Sequence, residues 1–223
     1  MFGFGLADWV YRKNVNFGKS VSSSITFPML ITIRLVIMIP LFGLLYFVNL
    51  RNNILMDIFW LSTLAFFTSL YSVMFSIFAA FFPDALTVTA AVFNEISVSY
   101  NFGATLGFWI LLVPIYWKYF DPFTKVFYSI LHTVPLLCHF INTGITYENL
   151  MLNDTKLAIV FGLLYGYLNI IGSFDAGGPI YAPFNWFETP FLATVLMLIL
   201  IAVITWCYST FTKTMNQCKV NKK

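Results

Sequence analysis

Both histidines of the chain, His132 and His139, sit in one apolar stretch, "YSILHTVPLLCHFIN", residues 128–142. A second apolar stretch, "FWLSTLAFFTSLY", carries Thr63. A threonine hydroxyl is a poor nucleophile until a base takes its proton. A neutral imidazole within hydrogen-bond reach can take that proton and return it to a leaving group. Thr63 and His132 together therefore have the residue types for acyl transfer through an acyl-threonine that water resolves. The chemistry also needs an oxyanion site, and no sequence signature marks one. Asp121 and Asp175 are the acidic residues to consider for orienting His132. Ser62, Thr68 and Ser69 compete with Thr63 for the nucleophile's place, because helix hydroxyls commonly bond their own carbonyls.

These residues must be positioned inside a membrane. The chain has 223 residues, of which 60% are hydrophobic and 9% charged, with a mean hydropathy of +0.83. Soluble domains carry about 25% charged residues, so this chain cannot cover a soluble surface. The composition predicts an all-α, polytopic integral membrane protein of the plasma membrane or endomembranes, surrounded by lipid and without a nucleic-acid partner. A spanning helix needs about 20 mainly apolar residues. Six segments qualify, at about 29–49, 56–82, 103–119, 123–142, 157–174 and 189–210. They form one transmembrane domain over 1–223, with no internal repeat. Residues 83–102 are too polar at Asp84, Asn94 and Glu95 to span alone and read as an interfacial helix. The residues from Thr214 onward read as a solvated basic tail. The N-terminal stretch lacks a basic region followed by an apolar core, so it does not read as a cleavable signal. Cys138, Cys207 and Cys218 have no metal-ligand spacing, and no metal or cofactor is expected.

Lys and Arg in short loops set the orientation. With the N-terminus inside, the inner segments hold Arg12, Lys13, Lys19, Lys156, Lys213, Lys219, Lys222 and Lys223, and the outer loops hold Arg51, Lys118 and Lys125. The excess places both termini in the cytoplasm. Trp60, Trp117 and Trp186 fall at outer boundaries and Trp206 at an inner one, as aromatic belts do.

Polar side chains at depth are costly and are functional candidates by default. At 1.5 Å per residue, His132 lies roughly 10–14 Å and Thr63 roughly 8–12 Å below the outer boundary, on helices that run the same way. Pro135 cannot donate to the carbonyl of Leu131, which leaves an open acceptor beside His132. His139 lies near the inner end and reads as structural or interfacial. Arg34, inside the first span, either snorkels to the inner interface or meets a structural partner. With only Arg34 well inside a span, an ion or proton path is disfavoured. The loop "FDAGGPIYAPFNWFE", 174–188, has glycines and prolines that fix an irregular path and reads as a cap over the outer mouth.

Four blocks, "FWLSTLAFF", "FWILLVPIYW", "SILHTVPLL" and "YGYLNIIGSFDAGGPIYAPFNW", carry a resemblance to a family of six-helix membrane proteins, the androgen-induced / androgen-dependent TFPI-regulating family, and to its relative, the rolling stone family. The blocks span roughly residues 55–187. The androgen-induced branch implies hydrolysis of fatty acid esters of hydroxy fatty acids by an intramembrane threonine and a histidine. Residue by residue, these match Thr63 in "LST", or Ser62 if the alignment slips by one, and His132 in "LHT". "AGGPIYAPFNW" is closer to the rolling stone branch, with Ala182 where a proline commonly follows the tyrosine. That branch does not imply hydrolysis, and the alternative it offers is a non-enzymatic role in cell-surface or endomembrane interactions.

Overall fold

The computed structural model describes residues 15–51, 60–147 and 155–220. Six helices among them are long and apolar enough to cross a membrane. They are α1 (Phe27–Arg51), α2 (Leu61–Phe81), α3 (Pro83–Tyr119), α4 (Pro122–Ile145), α5 (Thr155–Asp175) and α6 (Pro190–Val220). In lipid every backbone polar group must be satisfied within the chain, and helices do this for a sequence with so few charges. Met56–Phe59 of the expected second span, and Arg12, Lys13, Lys222 and Lys223 from the charge count, lie outside the described residues.

The third helix differs most from expectation. It begins at Pro83, not near 103, and carries Asn94 and Glu95 into the interior, where they are 0% and 1% exposed. No separate interfacial helix precedes it. The reason lies in its packing. One face of α2 presents Ser62, Ala65, Ser69, Ser72, Ser76 and Ala79, three or four residues apart and all buried. Small residues let helices approach closely, and hydroxyls supply bonds across the gap. Ser72 Oγ donates to Asn94 Oδ1 at 3.0 Å. Ser69 and Ser97 hydroxyls meet at 3.1 Å. Asn101 Nδ2 donates to Ser69 Oγ at 2.7 Å and to the Ala65 carbonyl at 3.2 Å. With Glu95 inside the bundle, Arg34 is not the only charged residue there.

Two other boundaries carry physical reasons, and a third lies further along than expected. Asp121 caps α4: its carboxylate accepts the Thr124 N–H at 3.0 Å, and Pro122 occupies the first turn, where its missing N–H costs nothing. At the end of α5, Gly177 adopts a left-handed φ of 66°. Gly178 N–H then returns to the Ser173 carbonyl at 3.0 Å and Gly177 N–H to that of Phe174 at 3.2 Å, the paired bonds of a Schellman stop. The last helix continues to Val220, so the expected tail is helical from Thr214 to Val220, though Lys213 and Thr214 are exposed.

A short antiparallel pair, β1 (Asn16–Ser20) with β2 (Thr146–Tyr147), closes one end of the bundle and was not expected from the sequence. Arg34 holds it there. The guanidinium is fully buried and does not snorkel. It donates to the carbonyls of Phe17 at 2.6 Å and Ser76 at 3.1 Å, to Asn142 Oδ1 at 3.1 Å and to Thr146 Oγ1 at 2.9 Å. Trp60, Trp186 and the loop between α5 and α6 lie at the opposite end, called the mouth below.

Candidate functional site

A cavity of about 620 Å³ lies at the mouth. Thr63 and Ser62, from the first turn of α2, stand on its wall, as do His132 of α4 and Ile180, Tyr181 and Ala182 of the loop. Leu112, Tyr116, Phe120 and Phe127 make the rest mainly apolar. The structure thus brings Thr63 and His132 to one space, but no hydrogen bond joins the two. It separates them from their competitors. Thr68 Oγ1 is turned onto its own helix, on the carbonyls of Leu64 and Ala65 at 2.8 and 3.0 Å. Ser69 is committed to Ala65, Ser97 and Asn101. Ser62 remains beside Thr63.

His132 is held on three sides. Its Nδ1 lies 2.7 Å from the Tyr128 carbonyl, one turn back on α4. A carbonyl can only accept, so Nδ1 carries the proton and Nε2 keeps its lone pair. The orienting group is therefore neither Asp121, which caps its helix, nor Asp175, which is exposed at the end of α5. It is also Tyr128 and not the proline-freed Leu131 carbonyl that takes the imidazole. The ring stacks on Phe108, and the backbone carbonyl of His132 accepts Thr105 Oγ1 at 2.5 Å.

The position of Phe108 traces to an irregularity in α3. Over Gly107–Leu112 the helix widens to π geometry, and Val113 N–H reaches back five residues to Phe108 O. Pro114 follows at once and has no N–H to donate to Ile110. Such π turns gather at functional sites. Here the turn aims Phe108 at His132 and Leu112 into the cavity.

The loop residues 176–189 cover the mouth. Tyr181 Oη accepts the Leu61 N–H at 3.1 Å, one of the open donors at the start of α2, and its ring packs edge-on to Trp60 at 4.8 Å. Burial pushes the Tyr181 hydroxyl up to about 12, although bonds from Leu61, Tyr165 and Ser62 pull the other way. Trp186 Nε1 donates to Asn169 Oδ1 on α5 at 2.9 Å, tying the far side of the loop down. Sequence reasoning missed Tyr165 and Asn169; two polar side chains one turn apart in an apolar span were the available signal.

His139 lies away from the cavity. It is fully buried, with Nε2 at 3.1 Å from Thr143 Oγ1, and that hydroxyl reaches Asn94 at 3.2 Å. Among the described residues no group of three His, Cys, Asp or Glu side chains could hold a metal ion.

No family model, curated protein or solved structure matches this chain. The site must therefore be read from its own geometry.

Proposed function

We propose that this integral membrane protein hydrolyses lipid esters, with Thr63 as nucleophile and His132 as general base. The observation that carries the reading is the shared wall: a hydroxyl and an oriented imidazole on one mainly apolar cavity at the bundle mouth. The cavity volume falls within the range of about 300–1,000 Å³ usual for small-molecule sites, and its aromatic lining suits an acyl chain. His132 Nε2 takes the Thr63 proton as Oγ1 bonds to the ester carbonyl carbon. The bond to the alkoxy oxygen then breaks, and the imidazolium gives its proton to the departing alcohol. Water, deprotonated by the same nitrogen, releases the acid and restores the threonine. Catalytic hydrogen bonds are often long in an empty site and tighten around substrate. The resemblance noted above names the substrate class, fatty acid esters of hydroxy fatty acids.

The test is direct. The protein in nanodiscs is given such an ester, and free fatty acid is measured for the parent, Thr63→Ala and His132→Ala. Hydrolysis by the parent and its loss in both well-folded variants is the expected result. A parent without activity, or variants as active as the parent, would refute the reading.

One feature favours a second reading, a non-enzymatic role of rolling stone type. Phe174 and Phe187 pack against each other at 4.9 Å at the base of the loop, yet stand 61% and 44% exposed, a surface open to a membrane partner. Loss of partner binding on changing residues 174–188, in a protein with no esterase activity, would support it.

A further inference from the structure

A chain of hydrogen bonds runs from the loop into the cavity, and donor chemistry fixes its direction. The indole Nε1 of Trp186 can only donate, so the atom it meets 2.9 Å away is the Asn169 amide oxygen. The Asn169 amide is thereby oriented, and its Nδ2 donates to the Tyr165 hydroxyl oxygen at 3.2 Å. Tyr165, receiving there, has its own proton to give to its other partner, the Tyr181 hydroxyl. Tyr181 Oη also accepts the Leu61 N–H at 3.1 Å. A phenolic oxygen whose lone pairs are filled by incoming donors keeps one function, donation of its own proton. Ser62 bonds the same oxygen from its hydroxyl and its backbone N–H, and Ser62, Thr63, Tyr181 and His132 share the cavity wall.

We propose that Tyr181 is the oxyanion donor of this site, its hydroxyl aimed and strengthened by the relay Trp186–Asn169–Tyr165. The inference rests on the hydrolase reading above. When the nucleophile's oxygen bonds to the ester carbonyl carbon, the carbonyl electron pair moves onto its oxygen. The Tyr181 O–H turns to that oxygen and donates. When the bond to the leaving alcohol breaks, the pair returns and the carbonyl reforms. Tyr181 keeps its proton throughout, and all proton transfer stays with His132. Each bond in a chain polarises the next, so a phenol that accepts twice is a better donor than an isolated one. Its raised pKa of about 12 keeps it protonated at neutral pH. Trp186, Asn169 and Tyr165 are positioning residues that touch no reacting atom.

The experiment compares the parent, Tyr181→Phe and Trp186→Phe in nanodiscs. It measures kcat and KM for a fatty acid ester of a hydroxy fatty acid. It also measures affinity for two analogues, a trifluoromethyl ketone that forms a tetrahedral adduct and an ether that does not. For Tyr181→Phe, kcat should fall about 10²–10³-fold, the usual effect of losing one oxyanion donor, with KM nearly unchanged. Ketone affinity should fall with kcat, and ether affinity should hold. Trp186→Phe should show the same pattern with a smaller drop. If Tyr181→Phe fails to fold, Trp186→Phe decides: selective loss of ketone affinity supports the inference, and equal loss of both analogues overturns it. An active parent with an equally active Tyr181→Phe overturns the inference and leaves the hydrolase reading standing. A parent without esterase activity overturns both.

Discussion

The rings of His132 and Phe108 lie face to face, centroids 4.1 Å apart and planes 9° from parallel. With Nδ1 on the Tyr128 carbonyl, this stack leaves the imidazole no free rotation. Phe108→Leu would keep apolar volume and lose the flat face. A misplacement of about 1 Å can cost on the order of 10²-fold in rate, so we expect kcat for the lipid ester to fall by that order while the thermal midpoint changes little. An unaltered kcat would show that Phe108 does not position the base.

Ser62 and Thr63 can be told apart by substitution. We expect Thr63→Ala to lose activity beyond detection, and Ser62→Ala to retain most of it, because Ser62 sits among the Tyr181 contacts. The reverse outcome would move the nucleophile to Ser62.

Arg34 should be a fold residue, not a site residue. Arg34→Met would leave the Phe17 and Ser76 carbonyls, Asn142 and Thr146 without their donor. Each unmet buried group costs about 1–3 kcal/mol, so a loss of at least about 3 kcal/mol is expected by thermal melting in detergent. Arg34→Lys should recover only part of it, since an ammonium cannot reproduce the planar fork.

Two glycines make a graded test of the packing. A Cβ on Gly103 would lie 2.6 Å from Ile204 Cδ1, the movable tip of a side chain. A Cβ on Gly162 would lie 2.9 and 3.2 Å from the two branches at the Ile201 Cβ, which cannot both swing away. Gly162→Ala should therefore cost about 1–3 kcal/mol. Gly103→Ala should cost less, despite the shorter distance. Comparable melting temperatures for the two variants would contradict this.

The α4 cap gives a pH dependence. The Thr124 side chain, then its backbone N–H, holds the Asp121 carboxyl below its ordinary 3.8. A group whose pKa is lowered by folding stabilises above its unfolded pKa and loses that contribution as pH falls through the folded one. The parent should therefore lose stability from about the ordinary carboxylate value downward, and Asp121→Ala should lose less over the same interval. Identical acid slopes would mean that the cap contributes nothing measurable.

Composition made the six helices legible, because a chain with 9% charge has few other ways to satisfy its backbone. Depth counting brought Thr63 and His132 to one level, and both line one cavity. What escaped the sequence depended on partners far along the chain. Asn94 looks too polar for a span until Ser72 and Thr143 are placed against it. Strand Asn16–Ser20 has no meaning without Thr146 and Tyr147. The imidazole's orienting group was invisible because it is a backbone carbonyl, which every residue has. Pro114 was a visible sign of disturbance in the third helix, but not of the π turn that presents Phe108.

The serine face shared by α2 and α3 bears on how the protein enters a bilayer. Phe82 alone joins the two helices. Inserted singly, α2 would expose Ser69 and Ser72, and α3 would expose Asn94 and Asn101, to hydrocarbon with their cross-helix bonds unmade. Paired, they close those bonds against each other. Helices two and three should therefore leave the translocation machinery as a hairpin, and any change that delays the second arm would strand the first.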